Sequence, residues 1–95
     1  MAKHIYYVLM QYENYPYDGE GIQGESEADG PYYTKKVAIA EMKESLKNYS
    51  DGDKDHTYHG LLMIGAVDDE YTNVYDYDCE DTGISARNGK IFRNE

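Results

Sequence analysis

The apolar positions of the chain fall into three stretches with the composition of β-strands. Residues 5–12 (IYYVLMQY) and 58–67 (YHGLLMIGAV) are rich in β-branched and aromatic residues on both alternating faces, which is typical of strands in the centre of a sheet or under a helix. Gly60 and Gly65 are expected to mark a bulge or a close backbone approach. Residues 73–79 (NVYDYDC) alternate strictly between two faces, which predicts a third strand.

A helical periodicity predicts one helix over residues 35–49. Thr34 is a suitable N-cap, because its side-chain oxygen can accept a free amide hydrogen of the first turn. Residues 50–53 (SDGD) provide a stop signal. The apolar side chains of the helix are expected to share one buried face: Val37, Ala38, Ile39, Met42, Leu46 and Tyr49.

Turn signals connect these elements. Residues 13–30 hold four glycines, one proline and six acidic residues without a base, which predicts a mobile excursion with an optional short strand at residues 21–27. Residues 68–70 (DDE) are expected to form a hairpin turn, and residues 88–92 a turn followed by a short terminal strand. The chain 1–95 is therefore predicted to be a single α+β domain, with an antiparallel sheet of three to four strands and one helix on one face, in the order strand, optional strand, helix, strand, strand.

The charge balance disfavours two classes of binding partner. The net charge is −10, from 19 acidic and 9 basic residues, so direct nucleic-acid binding and docking to anionic membranes are disfavoured. Cys79 is the only cysteine and no apolar stretch is long enough to span a membrane, so we expect a cytoplasmic protein, in the host cell if it is phage-encoded. Twelve tyrosines are more than so small a core can bury, so several should lie at the surface.

Catalytic and metal-binding patterns are weak. The alternate aspartates of residues 51–55 (DGDKD) are similar to the start of a calcium loop, but His56 and Leu62 stand where that loop requires glycine and glutamate. His56 and His59 supply too few ligands for zinc. The acidic residues around Cys79 disfavour a reactive thiolate. We therefore expect no enzyme activity, no metal and no cofactor, and a ligand-binding loop at residues 51–59 stays as an alternative.

The acidic residues concentrate in two segments. Residues 13–29 contain six acids and residues 68–81 contain seven, with no base in either, while the bases gather at residues 35–47 and 87–93. If the two segments are adjacent in the fold, they form one acidic side with tyrosines between the carboxylates. The predicted partner-binding residues are Glu13, Tyr15, Tyr17, Asp18, Glu20, Asp68, Asp69, Glu70, Tyr75, Asp76 and Asp78.

Carboxylates and aromatic rings on a rigid sheet would fit an Arg- or Lys-lined groove, so the leading hypothesis is a non-enzymatic inhibitor that mimics nucleic acid. Its partner would be a basic, nucleic-acid-binding protein. In size, charge and composition the whole chain resembles the small acidic inhibitors of phages and mobile elements, including anti-CRISPR and anti-restriction proteins. This resemblance implies a target in a defence system and transfers no individual site residue. Besides the ligand-binding loop, two further alternatives stay open: solvated loops that keep the protein soluble, and an assembly module that forms a homodimer through exposed tyrosines.

Overall fold

The computed structural model describes residues 3–68 and 74–93, except for the side chains of Tyr75 and Asp76. The elements are, in chain order, β1 (Lys3–Asn14), β2 (Ile22–Glu25), β3 (Asp29–Tyr32), α1 (Lys35–Ser50), β4 (His56–Val67), β5 (Val74–Arg87) and β6 (Lys90–Arg93). The predicted α+β class is confirmed, with one helix and one antiparallel sheet. The predicted strand number is wrong, because the sheet has six strands rather than three to four.

The sheet is built on a long central ladder. β1 and β4 pair antiparallel along their full lengths, from Lys3 opposite Val67 to Asn14 opposite His56. β5 and then β6 follow on the outer side of β4. The other side of β1 is shared, with β2 along its C-terminal half and β3 along its N-terminal half. These two short strands account for most of the discrepancy in number, because they lie almost wholly within the predicted excursion.

A bulge explains why β5 is longer than the predicted third strand. The pairing between β4 and β5 shifts register beside Gly60, and β5 then continues to Arg87. The Thr82 side chain forms hydrogen bonds with the backbone at the bulge. Its hydroxyl donates to the Gly60 carbonyl at 2.8 Å and accepts from the Ile84 amide at 3.2 Å. These bonds replace those that the bulge removes from the ladder, so the strand can resume beyond it.

The hydrophobic core lies between α1 and the sheet. It consists of Val8, Met10, Ala38, Met42, Leu46, Leu62, Ile84 and Ala86. A Cβ at Gly60 would collide with the Met42 side chain, so the glycine allows the helix to approach β4 closely. The close approach predicted at this glycine is therefore confirmed.

The helix begins and ends close to the prediction. Thr34 is the N-cap, and its hydroxyl accepts from the Val37 amide at 3.2 Å. At the other end, the turn Asn88–Gly89 docks on the helix, with the Gly89 amide donating to the Ser50 hydroxyl at 3.0 Å. Both turn residues have positive φ angles, 48° and 80°, as a tight hairpin requires.

The predicted buried face of the helix is partly wrong. The buried side chains follow a spacing of four: Ala38, Met42, Leu46 and Ser50. Tyr49 is 63% exposed and Val37 is 48% exposed. The reason is that a single helix covers only part of the width of the sheet, so side chains at the borders of the stripe stay at the surface.

Candidate functional site

The two acidic segments start at opposite ends of the central ladder and run back along different sides of it, with residues 22–29 beside β1 and residues 74–81 beside β4. Residues 13–20 lie at the end of β1 that pairs with His56, whereas Asp68 follows the end of β4 that pairs with Lys3. Eleven residue steps separate these ends in β1, or about 37 Å at ~3.4 Å per residue. The structure therefore forms two acidic regions rather than one side. Asp69 and Glu70 lie outside the described residues, as do the side chains of Tyr75 and Asp76.

In the first region, Glu13 and Asp18 have partners within the chain. Glu13 Oε1 lies 2.7 Å from His59 Nε2, and both side chains are largely buried. Asp18 accepts from the Glu20 amide at 3.0 Å and from the Asn14 side chain at 2.7 Å. These two hydrogen bonds, the amide first, lower the pKa of Asp18. Glu13 and Asp18 thus fix the strand end and the loop, while the Glu20 side chain is exposed.

The two predicted tyrosine anchors of this region differ. The guanidinium carbon of Arg87 lies 4.1 Å from the centroid of the Tyr15 ring and 4.6 Å from that of Phe92, so the cation is sandwiched between two aromatic faces. The Tyr15 amide also donates to the Asp55 carbonyl at 2.8 Å. Tyr15 is therefore fastened to the sheet. Tyr17 is 64% exposed.

The first region continues along one edge of the sheet. β2 and β3 carry further acids that sequence reasoning did not single out, with Glu25 opposite Gln11 and Asp29 opposite Val8. Their alignment depends on β1 acting as a template, and the only signal in the sequence was the run of acids without a base. Residues 5–34 contain no Lys, Arg or His. We name the exposed carboxylates of this edge the acidic edge: Asp18, Glu20, Glu25, Glu27 and Asp29.

In the second region, a basic side chain neutralises part of the acidic charge. Glu80 forms an ion pair with Lys35 at 3.2 Å, and the Asp81 carboxylate accepts from the Gly83 amide at 3.0 Å. Asp78 is exposed on β5, opposite Ile64. Basic side chains lie instead on β6, which forms the sheet edge opposite β2 and β3. This edge therefore carries both charges, with the bases of β6 beyond Ile84 and exposed acids on the preceding part of β5.

The loop that raised the metal hypothesis is organised around Asp53. Its carboxylate accepts from the Tyr58 hydroxyl at 2.7 Å and the Asp55 amide at 2.9 Å, and lies 2.9 Å from His56 Nδ1. Burial opposes the charge, but these bonds outweigh it and lower the pKa of Asp53. Burial, followed by the bond to Asp53, raises the pKa of Tyr58 to about 12. His56 and His59 have separate partners, Asp53 and Glu13.

Within residues 3–68 and 74–93, no group of three or more His, Cys, Asp or Glu side chains is arranged to hold a metal ion. No helix in this part of the chain is long and apolar enough to cross a membrane.

The chain matches no known protein family, no curated protein and no solved structure.

Proposed function

We propose that the protein is a non-enzymatic binding protein whose acidic edge docks on a basic, nucleic-acid-binding surface of another protein and blocks it. The observation that supports this proposal is the acidic edge itself: five exposed carboxylates on the loop that leads to β2, on β2 and β3, and between these strands, within a stretch of 30 residues that contains no base. The net charge of −10 adds long-range attraction toward a basic partner.

The strands make this edge a preorganised surface. β2 and β3 are hydrogen-bonded to β1, so their carboxylates keep a fixed order along the sheet and little backbone entropy is lost on binding. Lys and Arg side chains that normally contact phosphates would meet carboxylate oxygens in a similar linear array. Tyr17 adds an exposed aromatic surface beside the array.

The proposed target class is a nucleic-acid-processing protein of a defence system, such as a CRISPR or restriction component. Its nucleic-acid groove would be strongly basic, which is the complement of the acidic edge. Because the exposed charges are screened over about 8 Å at physiological ionic strength, binding should weaken as salt is added.

The test is capture of the partner with the tagged protein, followed by competition with DNA or RNA. The edge variant Glu25→Lys/Glu27→Lys is compared with the control Glu44→Lys/Asp51→Lys, which changes the net charge equally at exposed positions outside the acidic edge. The edge variant should associate at least about tenfold more slowly at low salt, since charge complementarity acts mainly on the association rate. Equal effects of both variants, or a partner that nucleic acid does not displace, would overturn the proposal.

An assembly module is the second candidate. No described strand pairs with the outer side of β5 before Ile84, and Tyr77 is 54% exposed there. Such an edge is a template for another strand. This candidate predicts a concentration-dependent homodimer whose affinity is insensitive to salt, which sedimentation at two ionic strengths would reveal.

A further inference from the structure

A groove of about 490 Å³ separates the helix from the acidic edge. Its floor is apolar and consists of Val8 and Met10, while Ser45 and Tyr49 of α1 form one wall. Residues 26–29 form the other wall. The volume lies within the range of about 300–1,000 Å³ that is usual for ligand sites.

The wall formed by residues 26–29 arises because the chain between β2 and β3 contains one residue more than the stretch of β1 opposite it. Two residues of β1 lie between Val8 and Gln11, but three residues lie between their partners Asp29 and Glu25. Ser26 closes the gap in the ladder, because its amide donates to the Met10 carbonyl at 2.8 Å and its hydroxyl accepts from the Met10 amide at 2.9 Å. The amide and the carbonyl of Met10 at the edge of β1 therefore both have hydrogen-bond partners, and these bonds hold the groove wall in place.

The charge around the groove favours a cation. Glu27 and Asp29 lie on the outer wall, and none of the described residues that line the groove is basic. A hydrogen bond to Asp29, followed by burial and the charges of Asp29 and Glu41, raises the pKa of Tyr32 to about 12. The Tyr32 hydroxyl donates to the Asp29 carboxylate at 2.6 Å and holds it in position on the wall.

An aromatic surface adjoins the same space. A second hollow of about 240 Å³ shares Met10, Ser26 and Tyr49 with the groove and extends to Tyr12 and Tyr58. The combination of an apolar floor, acidic wall and tyrosine rim matches the parts of an arginine side chain. Its methylene stem packs on apolar surface, and its planar head binds carboxylates in two-point geometry and stacks on aromatic rings.

We propose that this groove takes up an arginine side chain from an extended segment of the basic partner. The inference rests on the proposed function, because the occupant belongs to that partner. The stem lies over Met10 beside Tyr49, and the guanidinium group reaches the carboxylates of Glu27 and Asp29. Arginine is preferred to lysine, because an ammonium group neither binds a carboxylate at two points nor stacks through a planar head.

The probe is a blocked peptide, acetyl-Gly-Gly-Arg-Gly-Gly-amide, titrated into the isotope-labelled protein and followed by amide chemical shifts. The shifts should concentrate at Met10, Ser26 and Tyr49. The lysine analogue should bind at least about threefold more weakly, and the citrulline analogue, which keeps the shape but lacks the charge, at least about tenfold more weakly.

Variants separate groove binding from general attraction to an acidic protein. Ser45→Tyr fills the groove without a change of charge and should weaken binding at least about tenfold, as should Glu27→Gln. Glu44→Gln removes the same charge from an exposed side chain of α1 that does not line the groove and should alter the affinity less than about twofold. The unfolding temperature and the dispersion of the amide chemical shifts verify that each variant is folded. If Ser45→Tyr does not fold, Ala28→Leu is the alternative variant that fills the groove.

Shifts that map away from the groove, equal affinity for the citrulline peptide, or unchanged binding after filling would overturn the inference. The proposed function fails separately. If filling the groove has no effect while Glu25→Lys/Glu27→Lys still abolishes partner capture, only the groove is wrong. If the peptide binds as expected but the captured partner is not displaced by nucleic acid, only the proposed function is wrong.

Discussion

Asp53 is expected to be the main connection between the end of the helix and the start of β4. It lies three residues beyond the last helical residue, Ser50, and its carboxylate binds the Tyr58 hydroxyl, the Asp55 amide and His56. We therefore predict that Asp53→Ala strongly destabilises the protein without directly altering the core.

The magnitude follows from these bonds. A hydrogen bond to a charged group contributes roughly 1.5–3 kcal/mol, and the Tyr58 hydroxyl loses its partner in the variant. The Asp53 side chain is 24% exposed, so water screens part of the interaction and compensates for part of the loss. We expect a loss of about 3 kcal/mol in the free energy of unfolding. This corresponds to a fall of roughly 12–24 °C in Tm for a domain of this size.

The assay is urea denaturation followed by circular dichroism, in a double-mutant cycle with Tyr58→Phe. Because the two side chains share a hydrogen bond, their coupling energy should be about 1 kcal/mol or more. Asp55→Ala is the matched control, since it removes the same charge from an exposed side chain and keeps the amide that binds Asp53. The control should change stability by less than about 0.5 kcal/mol.

The effect should also depend on pH. The pKa of Asp53 is lowered in the folded state, so its contribution is present above the unfolded pKa, about 3.9, and is lost as pH falls through the folded value. The difference between wild type and Asp53→Ala should therefore shrink as pH falls below about 4. Additive effects of Asp53→Ala and Tyr58→Phe, or an equally harmful Asp55→Ala, would refute the reasoning.

Three further predictions concern the fold. Gly60→Ala places a methyl group against Met42 and should cost about 1–3 kcal/mol in thermal unfolding, and a cost below about 0.5 kcal/mol would show that the helix can move away. Tyr32 donates to Asp29 at 2.6 Å and its pKa is about 12, so this contribution is present below about pH 10 and is lost as pH rises through 12. Tyr32→Phe should remove one late-ionising phenol from the ultraviolet titration, and an unchanged titration would contradict this. Thr82→Val removes the hydroxyl that donates to the Gly60 carbonyl and should destabilise the protein by about 1–3 kcal/mol, with faster amide exchange in β5; unchanged exchange there would argue against a role for the hydroxyl.

Much of the scaffold was determined by local signals in the sequence. The helix from Lys35 to Ser50 and its cap at Thr34 follow from periodicity and N-cap chemistry. The apolar stretches of β1 and β4 predicted central strands, and Asn88–Gly89 predicted a hairpin turn. These features depend on residues that are close in sequence, so the sequence alone was sufficient for them.

The candidate site depended on distant parts of the chain. β2 and β3 have four residues each and contain glycine or proline, so their own composition is too weak a strand signal; they pair because β1 offers them an unpaired edge. That pairing aligns Glu25 and Asp29, and the extra residue at Ser26 opens the groove beside Tyr49. The sequence by itself determined the amount of acidic charge and its two segments. Only the tertiary structure decided that the long antiparallel ladder starts those segments at opposite ends and separates them on its two sides, because the register of two paired strands is set by contacts along their whole length.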